Sequence, residues 1–245
     1  MSAERFPLTG QKVCITGAAQ GLGAGLARAF AAAGAELVLM DVATDAMAAL
    51  AATLAPAKVH TITVDLSDAE ATRNAATEML LQTGRIDCLI HNAAILKPLP
   101  FAQTPFALHA ATMNVGIQAG FILSQAVWEG MVQGGGGALV FVSSQSGIKG
   151  FENEASYCAA KHALEGFSKC LAMEGAAHGI LSCTITPGKA MRTPMSDQNY
   201  TAEMKTQWVE PDLLAPAFLH IAATRDPALS GERLNAWHLS SPQEA

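Results

Sequence analysis

The stretch Val13-Cys14-Ile15-Thr16-Gly17-Ala18-Ala19-Gln20-Gly21-Leu22-Gly23 decides the fold. A short apolar run enters a turn with glycines at 17, 21 and 23, and a helix-like segment follows at once. Bare glycines let the backbone approach a pyrophosphate. The opening turn of the helix then offers unpaired N–H groups and a positive dipole end. Glycines also serve ordinary tight turns, so the pattern gains weight only from its order: strand, turn, helix. Gln20 and Leu22 lie inside the turn and join the candidate cofactor contacts.

Outward from this turn, apolar runs alternate with helix-like segments along the chain. The runs predict strands at Lys12–Thr16, Glu36–Met40, Val59–Val64, Asp87–His91, Ala138–Val142, Leu181–Thr186 and Arg233–Ala236. They are rich in Val, Ile and Leu without clean alternation, as in strands covered on both faces. Helices are expected near 22–33, 44–54, 68–82, 105–132, 155–177 and 211–223. The pattern predicts an α/β fold: a parallel sheet with right-handed crossovers and helices on both faces. No repeat, linker or boundary interrupts it, so residues 1–245 are expected to form a single domain. Gly134–Gly137 reads as a flexible turn between a helix and a strand.

Composition narrows the function classes. Half of the 245 residues are hydrophobic, 15% are charged, and the net charge is −6 without a block of like charges. That argues against nucleic acid or an anionic membrane surface as partner. Five cysteines, Cys14, Cys88, Cys158, Cys170 and Cys183, form no CxxC pair; they read as buried free thiols in a reducing compartment. The N-terminal segment carries no apolar h-region, and no uninterrupted apolar stretch of about 18 residues is evident. A cytoplasmic location is expected.

Asp41 closes the second apolar run. In a dinucleotide fold that strand ends beside the adenosine ribose, where a carboxylate accepts both ribose hydroxyls and repels a 2′-phosphate. The competing role is a cap on the following helix. No Lys or Arg neighbours Asp41 and Gln20 is neutral, which favours NAD over NADP. Asp65 follows the third strand and suits the adenine amine, with helix capping again the rival, since Ser67 and Asp68 also look like caps.

Tyr157 and Lys161 are four apart in a helix-like run, hence on one face. A phenol titrates near about 10 in water. A neighbouring ammonium favours the phenolate and makes the pair a plausible general acid/base. Such a pair alone means little. Ser144 adds to it, because the strand Ala138–Val142 delivers it to the same sheet edge as the glycine turn.

Taken together these residues resemble the short-chain dehydrogenase/reductase family, in its short NAD-binding branch. The match runs through Thr16-Gly17-x-x-x-Gly21-x-Gly23, Asp41, Asp65, His91-Asn92-Ala93-Ala94, Asn114, Ser144, Tyr157-x-x-x-Lys161 and Pro187-Gly188. The resemblance implies one dinucleotide-binding catalytic domain over residues 1–245, with a doubly wound, Rossmann-like seven-stranded sheet and a Ser-Tyr-Lys-Asn tetrad. Tyr157 would be the acid/base, and Ser144 would orient the substrate oxygen. Lys161 would bind the nicotinamide ribose and lower the Tyr157 pKa. Asn114 would hold a water linking Lys161 to solvent. Asn92, Ala93, Leu66, Pro187 and Gly188 would line the cofactor. The family threonine after Pro-Gly comes one position late, leaving Thr193 as candidate for the nicotinamide carboxamide. Ala94 and Cys183 depart from the family's glycine and asparagine. Homotetramers or dimers through the long helices are also implied.

The expected activity is hydride transfer between NAD(H) and a secondary alcohol or ketone. A non-catalytic NAD-binding redox sensor or scaffold is the alternative. An epimerase or dehydratase is disfavoured, since the sequence stops soon after its seventh strand. Substrate contacts are sought at Ile95, Gln145, Phe151, Glu154, Met191 and Trp208, with Leu96, Ile148 and Met195 nearby and a mobile lid at 189–210. Apolar candidates suggest a hydrophobic alcohol, whereas Glu152, Asn153 and Glu154 suit a polyol; both stay open. His91, His109 and His162 have no partners at metal-ligand spacing, so no catalytic metal is expected; His162 points about 100° away from Lys161.

Overall fold

The computed structural model describes residues 6–199, 201, 203 and 208–241. Seven parallel strands run through it: β1 Lys12–Thr16, β2 Glu36–Asp41, β3 Val59–Thr63, β4 Cys88–His91, β5 Gly137–Val142, β6 Ile180–Thr186 and β7 Arg233–Asn235. Their order is β3-β2-β1-β4-β5-β6-β7. The order reverses between β1 and β4, and the crevice outside their C-terminal ends is where such sheets bind ligands.

Nine α-helices are described: α1 Gly21–Ala32, α2 Thr44–Ala52, α3 Ala69–Thr83, α4 Phe106–Met113, α5 Ala119–Gln133, α6 Ala155–Gly175, α7 Pro194–Asn199, α8 Ala215–Thr224 and α9 Ala236–Ser240. The strands lack sequence alternation because both of their faces are buried. Val13 and Ile15 enter one core with Leu37, Leu39 and Phe218. Cys14 between them enters the other, with Val38, Met40 and Phe141. One core lies under α1 and α8; the other lies under α3, α5 and α6.

Three expectations need correction. The helix expected at 105–132 is continuous but contains a turn of π-helix at Asn114–Gln118. The whole run Phe106–Gln133 is long and apolar enough to cross a membrane by length and composition, although polar residues interrupt it. Here it packs into the fold, with Leu123, Val127 and Met131 buried against the sheet. Cys170 is exposed, unlike the other four thiols. It lies on the solvent side of α6, whereas Cys14, Cys88 and Cys183 sit in strands whose burial pushes their thiols up, Cys88 to about 12.

Candidate active site

The glycine turn is shaped by contacts that exclude side chains. Gly17 and Gly21 have positive φ, +63° and +55°, and both line the cavity at the sheet edge. A Cβ on Gly23 would lie 2.0 Å from the Gly17 carbonyl oxygen, so Gly23 closes the turn and does not line the cavity. Gly188 behaves similarly: its φ is +75°, and a Cβ would strike the Asn235 side chain at 2.0 Å.

Thr16 and Asn92 join this turn to β4. The Asn92 amide donates to the carbonyls of Thr16 (3.1 Å) and Gly17 (3.0 Å). The Thr16 hydroxyl oxygen accepts the backbone N–H groups of Asn92 and Ala93. Its own proton then goes to His91 Nδ1, 3.1 Å away. His91 Nε2 faces the carbonyls of Val115 (3.0 Å) and Gly116 (3.3 Å), which require it to donate. These carbonyls lie in the π turn. Burial, reinforced by the Lys161 charge, pushes His91 down to about 4, so its ring is neutral at physiological pH. The sequence places His91 in the motif before Asn92 and gives it no metal-ligand partner, and neither feature reveals this link.

Asp41 ties the glycine turn to the approach to α2, whose cap residue is Ala43. One carboxylate oxygen accepts Ala19 N–H (2.9 Å) in the glycine turn; the other accepts Ala43 N–H (3.0 Å) ahead of α2. The carboxylate still lines the cavity. Asp65 also lines it and accepts Ser67 N–H at 2.9 Å. The cap of α3 is Asp68, which accepts from Glu70 and Ala71.

Helix α6 carries Tyr157, Lys161 and Glu165 at successive four-residue steps. The Lys161 Nζ lies 5.5 Å from the centre of the Tyr157 ring. Lys161 is buried, and its ammonium donates to the Val142 carbonyl at 2.6 Å. Burial pushes it down to about 8, opposed by the negative charge of Glu165. Ser144 follows β5 in extended backbone, its Oγ accepting Ser146 N–H at 3.2 Å. Asn114 starts the π turn and donates its amide to the Ser67 carbonyl at 2.8 Å. It stands behind the cavity wall, not on it.

The cavity measures about 640 Å³ and runs from Asp41 to Tyr157. It brings together Gly17, Gln20, Gly21, Leu22, Asp41, Asp65, Leu66, Asn92, Ala93, Ser144, Tyr157, Lys161, Pro187 and Thr193. Thr193 presses on the glycine turn, its Cγ2 3.1 Å from where a Cβ on Gly21 would sit. On the substrate side Ile95, Phe151, Met191 and Trp208 line the wall. Gln145 and Glu154 do not: Gln145 is exposed, and Glu154 accepts the Ser146 hydroxyl at 3.0 Å. Lining residues missed in the sequence include Val115, Ser143, Lys189 and Pro194. His162 is exposed and its Nδ1 meets its own helix at the Cys158 carbonyl. Among the described residues no group of three His, Cys, Asp or Glu is placed to hold a metal ion.

The positive-φ cradle at Gly17 and Gly21, the carboxylates at 41 and 65 and the elongated cavity fit a nicotinamide dinucleotide. Comparison with known proteins gives the same answer. The family model for short chain dehydrogenases matches residues 11–204. D-Threitol dehydrogenase of Mycolicibacterium smegmatis is 30% identical, over 94% of this chain and 92% of the relative. L-Xylulose reductase of Mesocricetus auratus is 33% identical over 83% of this chain and 78% of its own. A crystal structure from Beutenbergia cavernae, provisionally assigned as an NAD(P)-dependent gluconate 5-dehydrogenase with NADP bound at low occupancy, superposes with a TM-score of 0.86. It is 27% identical and covers 95% of this chain and 98% of its own. These likenesses leave the non-catalytic alternative without support. The chain belongs to the short chain dehydrogenase family, as an NAD(P)-binding oxidoreductase acting on alcohols and ketones.

Proposed function

We propose that this enzyme works with NAD(H) on a largely apolar secondary alcohol or ketone, with Tyr157 as the proton-exchanging group. The observation that carries the reading is one cavity lined at one end by Asp41 and at the other by Ser144, Tyr157 and Lys161. The preference for NAD rests on Asp41, a carboxylate where a 2′-phosphate would have to lie, in a turn without Lys or Arg.

Each side chain has a defined task. Ser144 Oγ holds the substrate oxygen by a hydrogen bond. Tyr157 Oη gives its proton to a ketone oxygen during reduction, or takes the alcohol proton during oxidation. The Lys161 ammonium stabilises the phenolate. Asn114 fixes the π turn through Ser67, and its part in the reaction would be to hold a water that relays protons from Lys161. The nicotinamide, when bound, supplies or accepts the hydride.

The apolar reading rests on the wall. Ile95, Leu96, Phe151, Met191, Met195 and Trp208 line it, while Gln145 and Glu154 face elsewhere. Each substrate hydroxyl buried there without a partner would cost about 1–3 kcal/mol. A polyol or sugar is the rival class, because the D-threitol and L-xylulose relatives are named for such substrates. The experiment compares 1-phenylethanol, cyclohexanol and 2-octanol with threitol, xylitol and glycerol, each with NAD and with NADP. The reading expects kcat/KM at least about tenfold higher for the best apolar alcohol with NAD. Better turnover of a polyol, or of NADP, would refute it.

Three further expectations belong to this reading. Residues 189–210 act as a lid: α7 lies within it, Met191 bridges to Val209, and Asn199 donates to the Leu96 carbonyl at 3.0 Å. Residues 200, 202 and 204–207 of that segment lie outside the described ones. A dimer or tetramer through α5 and α6 would cover the exposed Phe121 and Met173. Five free thiols suit a reducing cytoplasm.

A further inference from the structure

The strand end that carries Ser144 is held at three successive residues by charged side chains. Lys161 donates to the Val142 carbonyl at 2.6 Å. The Ser143 hydroxyl donates to Glu165 Oε1 in a short hydrogen bond. Arg233 Nη2 donates to the Ser144 carbonyl at 2.9 Å. Arg233 Nε also reaches Glu165 Oε1 at 3.1 Å, and Thr184 donates to Glu165 Oε2 at 2.7 Å. One carboxylate on α6 thus gathers β5, β6 and β7.

The arrangement is built for close approach. Ser143, Thr184 and Glu165 are all buried. A Cβ on Gly147 would lie 2.7 Å from Ser143 Oγ and 3.0 Å from Glu165 Oε1, so only glycine leaves the carboxylate its place. Burying a carboxylate is costly unless it is paired and hydrogen-bonded. Here every partner is a fixed, directional donor, and two of them are the Ser143 hydroxyl and the guanidinium that clamps the Ser144 carbonyl.

We propose that Glu165 and Arg233 are positioning residues that lock the backbone of Ser144 to the helix bearing Tyr157, setting the distance between the two hydroxyls across the substrate oxygen. The inference rests on the roles given above to Ser144 and Tyr157. Neither Glu165 nor Arg233 lines the cavity; they reach the site through Ser143 and Ser144, and the Glu165 charge also acts on Lys161. Arg233 suits the task better than Lys, since its fork spans a carboxylate and a carbonyl at once.

The test is a double-mutant cycle read with the alcohol that the panel above selects. Glu165→Gln keeps the volume but weakens the charged hydrogen bonds, and kcat should fall about ten- to hundredfold. NAD binding and Tm, measured alongside, should show a folded enzyme with little change in cofactor affinity. In a Ser144→Ala background the same substitution should cost less than about threefold, because its effect passes through Ser144. Equal losses in both backgrounds would mean that Glu165 acts by another route, through the Lys161 charge or the fold at large, and would overturn the inference. Should Glu165→Gln fail to fold, Arg233→Gln takes its place in the cycle, with the same expected pattern. Near-normal kcat in Glu165→Gln with impaired Ser144→Ala would sink this inference alone. Near-normal kcat in Ser144→Ala would sink the underlying reading of the site as well.

Discussion

Replacing Lys161 by methionine separates its chemistry from its cost to stability. The ammonium is buried, and its pKa falls from the ordinary 10.5 to about 8, chiefly through loss of water and against the pull of Glu165. A difference of that size corresponds to about 3 kcal/mol. The folded protein binds this proton less tightly than the unfolded chain. Between pH 8 and 10.5 the unfolded state therefore holds more protons, and stability rises with pH across that window. Below pH 8 the penalty is fully present. Lys161→Met removes it but leaves the Val142 carbonyl without its donor, a loss of about 1–3 kcal/mol. At pH 7 the variant should therefore melt close to or above the parent, while losing nearly all turnover. From pH 7 to 10.5 the parent should gain about 3 kcal/mol on the variant. For a chain of this size that is about 6–12 °C in Tm. The assay is thermal unfolding across that range with both proteins carrying Tyr157→Phe, so that the nearby phenol does not titrate. Parallel Tm curves would refute the reasoning, because an ammonium open to water would show no such dependence.

Two other expectations follow from the cofactor end. Asp41→Ala removes acceptors for Ala19 and Ala43 as well as the candidate ribose contact. The ratio of kcat/KM for NAD over NADP should fall about tenfold or more; an unchanged ratio would contradict the role of Asp41. Gly23→Ala puts a methyl 2.0 Å from the Gly17 carbonyl oxygen. Isothermal titration should find NAD binding lost or Tm sharply lowered, and normal values for both would contradict the geometry.

Much of the fold is legible in the chain because buried parallel strands leave a simple mark. All seven runs became strands, with ends shifted by a residue or so: Glu36–Met40 extends to Asp41, and Ala138–Val142 begins at Gly137. The lost alternation has a direct cause, since Val13 and Cys14 face different but equally apolar cores. The π turn at Asn114 was not legible. Its sequence, NVGIQ, has an ordinary helical pattern. The turn is accompanied by long-range contacts that no local window contains: His91 at the Val115 and Gly116 carbonyls, and close packing of Gly116 on Ala160. The short helices α7 and α9 were missed because five or six residues leave little periodicity to read.

The site divides the same way. Most motif residues, though not Gly23, Asn114 or Gly188, converge on one cavity because the switch point between β1 and β4 brings strand ends together. Gln145 and Glu154 were misplaced because nearness in sequence to Ser144 and Tyr157 does not fix direction. Ser146 draws Glu154 away from the cavity. Glu165 and Arg233 escaped notice because they are 68 residues apart and touch the site only through Ser143 and Ser144. The spacing of four between Lys161 and Glu165 was the one local signal.

The most direct test of the central claim is NADH formation from NAD and the preferred alcohol, in the parent and in Tyr157→Phe, with NAD affinity measured beside it. The account predicts turnover lower by about 10²–10⁴ in the variant at unchanged NAD affinity. Turnover close to that of the parent would show that the proton leaves by another group and would contradict the account.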